Sequence, residues 1–228
     1  MMLFLYPNIF TINKKSHIQR LIDEGEGLQL DFKFEVSDAA KIARSLVAFA
    51  NTEGGKLLIG VKDNGNISGV RSEEEYYMLQ NAAERFCEPE VKFESKEWNI
   101  GGKKVLEVTI PKTELLPHKA PDINGKHKVY IRYKDQNILA HSVQVRVWNK
   151  LNSKVPVNLK YTDEVKELLK IFSGNQSIDY QEVINLSDLS KSRVNDLLTD
   201  LVAMKTLKIH TTDTETSFSL TDEMDLET

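Results

Sequence analysis

Five cations, Lys119, Lys126, Lys128, Arg132 and Lys134, fall between residues 119 and 134, with Tyr130 and Tyr133 interleaved. Clustered ammonium and guanidinium groups neutralise phosphates, and aromatic rings between them offer faces on which bases stack. This segment is therefore the candidate nucleic-acid contact of the first half. Lys126, Lys128, Tyr130 and Arg132 share parity, so on a strand they line one face. A plain solvated strand face is the alternative for the same residues. Other chemistries lack their spacing. His17, His118, His127, His141 and His210 are scattered with no i, i+4 pair, and no serine sits in a nucleophile elbow, so neither a zinc hydrolase nor a Ser-His hydrolase is supported. The single cysteine, Cys87, cannot form an internal disulfide and has no zinc-type neighbours. It reads as a small buried thiol in a cytoplasmic protein. No cofactor is expected.

The elements that must position this segment are readable from periodicity. Leu28, Leu30, Phe32 and Phe34 alternate with Gln29, Asp31, Lys33 and Glu35, the period of a half-buried strand with Asp31 and Lys33 on its polar face. Ser37 or Asp38 offers an N-cap, and Ile42, Leu46, Phe49 and Ala50 recur at helical spacing until Asn51 and Gly54-Gly55 stop the helix. LLIGV follows without alternation, as in a central strand covered on both faces. The simplest strand, helix, strand connection is parallel. Asp63-Asn64-Gly65 turns the chain into a short strand over 66–70. A helix is predicted over 72–86, a hairpin over 91–110 around Gly101-Gly102, a strand over 126–135 and a helix near 140–151.

The second half has a different character. YTDEVKELLKIF, SIDYQEVINL and a segment from about Ser190 to Lys205 read as three helices, and KIHTTDTETSFSL suits two strands around a turn. That order is the winged helix-turn-helix pattern, in which Lys191, Ser192, Arg193 and Asn195 at the start of the third helix face DNA. Charge argues the other way. Residues 1–158 carry 23 Lys+Arg against 20 Asp+Glu, whereas 159–228 carry 7 against 14. A surplus of seven negative charges opposes phosphate contact unless the cations are segregated, so dimerisation or another protein contact remains the alternative for this module. Residues 152–160, NSKVPVNLK, suit a linker. The tail TDEMDLET is acidic, and the apolar opening MMLFLYPNIF breaks at Pro7, reading as an edge strand or docking arm rather than a membrane span.

EGLQLDFK (26–33) followed by AFANTEGGKLLIGVKDNGNISGV (48–70) resembles the Alba-like Schlafen domain of bacterial DNA-binding proteins and Schlafen proteins. The resemblance covers roughly residues 15–150. It implies an α/β domain with a mixed sheet and flanking helices that binds nucleic acid, with DNA as the expected target, in a transcriptional regulator. Relatives often append a winged helix, so the expected division is 1–151, a linker at 152–160 and a winged helix-turn-helix domain at 161–228. Homo-oligomers are an expected partner state, and no membrane is. Some relatives carry an ATP-binding label, which no phosphate loop here supports. In the Schlafen branch the same block belongs to a metal-dependent endoribonuclease, whose three acids correspond to Glu26, Asp31 and Asp63. Magnesium or manganese is expected only under that alternative. Asp31 stands where the family usually has Glu, one methylene shorter. YIRYKDQN keeps Tyr130 and Arg132 of a YxRxGS-type stretch but has Tyr133-Lys134 in place of Gly-Ser. The residues alone leave two other readings open, Asp31 paired with Lys33 and Asp63 opening an Asx-type turn.

Overall fold

The structure, a computed structural model, describes residues 15–71, 73–153, 156–157, 159–174 and 177–221. The apolar opening arm and most of the acidic tail lie outside the described residues. The fold is mixed α/β. Its main sheet has four strands in the order β1-β2-β4-β3: β1 (Leu30–Lys33), β2 (Gly55–Ile59), β3 (Glu94–Ile100) and β4 (Lys103–Ile110). β1 and β2 run parallel, with Leu30 opposite Lys56 and Phe32 opposite Leu58, and β4 is antiparallel to both β2 and β3.

The unbroken apolar run of β2 has a direct cause in this arrangement. Leu57 and Ile59 pack on one face with helix α2 (Ala39–Ala50), while Leu58 and Val61 pack on the other with Ile18 of helix α1 (His17–Glu24). Both faces are covered, so no polar alternation is possible. α2 starts where the Asp38 side chain accepts the Lys41 N–H at 3.1 Å, and it buries Ile42, Leu46, Val47 and Phe49 against the sheet. Each such side chain contributes about 1.5–3 kcal/mol. The glycines after it do more than end a helix. A Cβ on Gly55 would lie 2.4 Å from the Phe49 ring and 2.8 Å from the Gln29 carbonyl oxygen, so only glycine lets β2 start beneath α2.

Three predicted elements differ in detail. Residues 66–70 form no strand; a single bridge joins Val61 to Ile67. Helix α3 (Glu74–Asn81) continues as one π-helical turn, Ala82–Phe86. The predicted strand over 126–135 is broken at buried Val129. It yields β6 (His127–Lys128), paired with β5 (Ala120–Pro121), and β7 (Tyr130–Tyr133), paired with β8 (Gln136–Leu139).

Helix α4 (Ser142–Asn152) leads into α5 (Asp163–Phe172), the two-residue strand β9 (Ile178–Asp179), α6 (Tyr180–Leu186), α7 (Lys191–Ala203) and the hairpin β10 (Leu207–Thr211) and β11 (Thr216–Leu220). The three strands form a sheet ordered β10-β11-β9. Val165, Leu168, Phe172, Val183, Leu197, Leu198 and Phe218 make a second apolar core, and Val143 and Val147 of α4 belong to it.

Candidate functional site

The segment 118–134 is held by the residues that end α2. Asn51, 5% exposed, donates its amide to the carbonyls of His118 and Tyr130, both at 2.8 Å, and its Oδ1 accepts the His118 N–H. Thr52 Oγ1 accepts the Arg132 N–H at 2.9 Å and donates to Ala48 O. One side-chain amide thus satisfies three buried backbone groups, which otherwise cost about 1–3 kcal/mol each. This clasp turns Tyr130 and Arg132 inward. Arg132 stacks over the Phe49 ring at 4.6 Å and donates to the Gly27 carbonyl at 2.6 Å and to Asn137 Oδ1 at 3.0 Å. Its side chain is 1% exposed, and burial lowers its affinity for the proton. Parity therefore misplaces two of the expected contacts. Lys126 and Lys128 are exposed, but the break at Val129 means that Tyr130 and Arg132 do not continue their face; the Arg132 side chain is closed off from a phosphate, and Tyr130, 9% exposed, shows only a small part of itself to the groove beside α2.

The exposed positive groups form a different set. A groove of about 490 Å³ between the β1–α2 connection and β7–β8 is lined by Lys33, Lys41 and Arg44, by the acids Glu35 and Asp38, and by Ser45, Tyr130, Gln136 and Asn137. Arg44 Nε donates to Pro121 O at 2.8 Å, tying α2 to the β5–β6 hairpin that carries Lys126 and Lys128. Lys134 is exposed in the tight turn before β8, and Lys119 is half-buried. Lys41, Lys126, Lys128 and Lys134 have no ion-pair partner among the described residues. Lys41 and Arg44 carried no signal in the sequence beyond their place on α2.

Of the three acids, the structure brings two together. The chain bends at Gly25-Glu26-Gly27, so Glu26 returns along β1 and its carboxylate accepts the Phe32 N–H at 2.8 Å. Burial raises the Glu26 carboxyl above its ordinary range, the Phe32 N–H opposes this, and neighbouring Asp31 adds to the rise. Asp31 is 3% exposed, with Lys33 Nζ at 2.7 Å and Arg132 Nη1 at 3.9 Å. Asp63 is exposed in the turn after β2, and among the described residues no three His, Cys, Asp or Glu side chains gather as a metal site. The parallel connection separates Asp63 from the other two, as strand direction requires. A divalent cation needs several converging oxygens. Here two cationic side chains already lie against Asp31, so the residues do not fit a magnesium or manganese site.

In the second unit, Lys191 and Ser192 are exposed at the start of α7. Arg193 is bound to Glu164 of α5 at 2.6 Å. Asn195 is 8% exposed and accepts the Tyr180 hydroxyl at 2.8 Å, so it faces the core and not a groove of DNA. α4 lies along the remaining side: Arg146 pairs with Asp196 at 2.8 Å and Lys150 with Asp200.

A second buried cluster escaped the sequence reading. On the α1 face of the main sheet, Glu107 is 4% exposed and its carboxylate accepts His17 Nε2 at 3.0 Å, Trp98 Nε1 at 2.7 Å and Lys56 Nζ. Burial raises this carboxyl, but the three donors outweigh it and leave it below its ordinary range. The alternation of β4 could have flagged Glu107 as a buried acid; Trp98 reaches it across the β3–β4 hairpin, and His17 and Lys56 come from two distant segments. Cys87 is buried, and burial pushes its thiol up to about 12, which makes it inert.

No curated protein matches the chain. Among solved structures, the crystal structure of the DIP2311 protein from Corynebacterium diphtheriae is 19% identical, covering 61% of this chain and 30% of its own, with a TM-score of 0.44. The chain thus spans under a third of that protein. The solution structure of the N-terminal domain of a protein related to the ATP-dependent DNA helicase RecG, from Nitrosomonas europaea, is 22% identical over 56% of this chain and 97% of its own, with a TM-score of 0.36. A family profile described as "Schlafen, AlbA_2" matches residues 26–141, over half of the chain and spanning the Glu26 bend, the Asn51 clasp and the groove beside α2. The chain belongs to the Schlafen AlbA_2 family.

Proposed function

We propose that this chain is a nucleic-acid-binding protein, with DNA as the preferred target and transcriptional regulation as its role, in which the first domain makes the phosphate contacts. The observation that carries this reading is a set of exposed cations without an ion-pair partner among the described residues: Lys41 in the groove with Lys33 and Arg44, Lys126 and Lys128 on the hairpin that Arg44 tethers, and Lys134 in the turn before β8. Phosphate binding requires cations free to release counterions. On α7 Arg193 is committed to Glu164, leaving Lys191 as the one exposed cation at the helix start without an ion-pair partner among the described residues, and the acids Asp196 and Asp200 lie on the same helix, paired to α4. The order α5, β9, α6, α7, β10, β11 supports a winged helix, and its charge supports a protein-contact role for it. Because Val143 and Val147 pack in the second core, α4 is best assigned to that unit, moving the division from residue 151 to about 141.

Titrating labelled duplex DNA at several salt concentrations tests the reading. The double variant Lys126→Ala/Lys128→Ala is expected to weaken binding and reduce the log-log salt slope by about 2, and Arg193→Ala to leave both nearly unchanged. A larger loss for Arg193→Ala would move the interface to α7. Ribonuclease action through Glu26, Asp31 and Asp63 is the weaker reading, supported only by the approach of Glu26 to Asp31. Cleavage of RNA with magnesium or manganese that disappears in Asp63→Ala would reverse this order.

A further inference from the structure

The two edges of the main sheet are finished differently. At β1 the Glu26 carboxylate takes the Phe32 N–H. At β3 the backbone pairs with β4 alone among the described residues, leaving the outer edge of a seven-residue strand open. Such an edge is a template for another strand.

The sequence of this edge is self-complementary in one register. When two antiparallel copies of a strand meet across a two-fold axis, residues equally far before and after the axis lie opposite each other on the same face. Centring on Ser95 places Glu94 opposite Lys96 twice and Lys92, just ahead of the strand, opposite Trp98 twice. Centring on Lys96 or Glu97 instead puts that charge against itself. Lysines on an edge ordinarily deter pairing; in this register each one meets a carboxylate or an indole. The Lys96 ammonium already lies 4.1 Å from the Trp98 ring centroid, and Glu94 and Lys96 are both exposed. On the opposite face, exposed Tyr76 and Tyr77 border a groove of about 450 Å³ with Ser95 and Glu97, so apolar surface adjoins the same axis.

We propose that a second copy of this chain docks antiparallel on β3 in the Ser95-centred register, joining two four-stranded sheets into one. The register makes Glu94 and Lys96 the residues that specify the partner.

Sedimentation velocity on the full chain over a range of concentrations is expected to show a reversible dimer. Lys96→Glu sets Glu94 against a carboxylate and Glu94→Lys sets Lys96 against an ammonium, so each weakens dimerisation at least about tenfold. The double variant Glu94→Lys/Lys96→Glu recreates both pairs and restores it. Ser95→Cys places two thiols at the axis, where opposed Cα atoms are about 4.5–5.5 Å apart, within disulfide range; mild oxidation should cross-link the dimer while buried Cys87 stays reduced. A monomer at every concentration, single reversals without effect, or a dimer that Ser95→Cys fails to cross-link would each overturn the proposal. So would a monomer whose β3 amides resist hydrogen exchange, since another segment would then occupy the edge.

Discussion

The two faces of the main sheet each bury a charged cluster, and they do it in opposite ways. Beneath α2, Arg132 and Asp31 lie 3.9 Å apart, Arg132 Nε has no hydrogen-bond partner among the described residues, and Glu26 is driven toward its neutral form. Beneath α1, Glu107 keeps its charge because His17, Lys56 and Trp98 all donate to it. Burial penalises the charged carboxylate in both places; the number of donors decides the outcome. The first cluster leans on backbone groups and a ring as well as on side chains, with Gly27 O, the Phe32 N–H and Phe49 beside Asn137 and Lys33, whereas the second is held through side chains alone.

The largest effect should come from Arg132→Met, which keeps the apolar contact with Phe49 but leaves Asp31 with Lys33 as its single cation. A loss of about 3–5 kcal/mol in chemical denaturation is expected, the usual result of removing one partner from a buried pair. A loss below about 1 kcal/mol would mean that Lys33 alone neutralises Asp31. Next comes Glu107→Gln, which retains the shape but withdraws the charge from three donors; about 2–3 kcal/mol should be lost at neutral pH. If this variant is as stable as the parent, the two faces do not differ as described.

The smallest effect lies in pH dependence, where the two carboxyls have opposite signs. Glu107 sits below its ordinary 4.5, so the stability it supplies is present above that value and fails as pH falls through its folded value. Glu26 sits above 4.5, so the stability from its proton is present below that value and is lost as pH rises through the folded value. Thermal melts between pH 3 and 7 should show Glu26→Gln melting slightly above the parent near neutrality, with the difference vanishing toward acid. Glu107→Gln should instead approach the parent only at the acid end. Identical profiles for the two variants would remove the distinction.

Much of the fold was legible because it depends on local pattern. LLIGV announced a strand covered on both sides, and β2 is one; Asp38 was one of two caps offered for α2, and it is the cap observed. The candidate interface was less legible. Tyr130 and Arg132 share parity with Lys126 and Lys128, but parity cannot register the break at Val129 or the pull of Asn51 and Thr52 from seventy residues or more away. Asn195 has the place of a DNA-reading residue, yet its environment is set by Tyr180 across the helix pair. Trp98 meets Glu107 across the predicted hairpin, but nothing in the spacing of residues 17 and 56 signals that they join the pair.

The Asn51 clasp also fixes the shortest fragment that can stand alone. A chain ended between Ile110 and Tyr130 would contain every strand of the main sheet, and by strand count it should fold. It would nevertheless leave the Asn51 amide without the Tyr130 carbonyl and the Thr52 hydroxyl without the Arg132 N–H on the inner side of α2, with Phe49 uncovered where Arg132 lies. The sheet therefore does not coincide with the folding unit, whose effective end is set about eighty residues beyond the motif that recognises it.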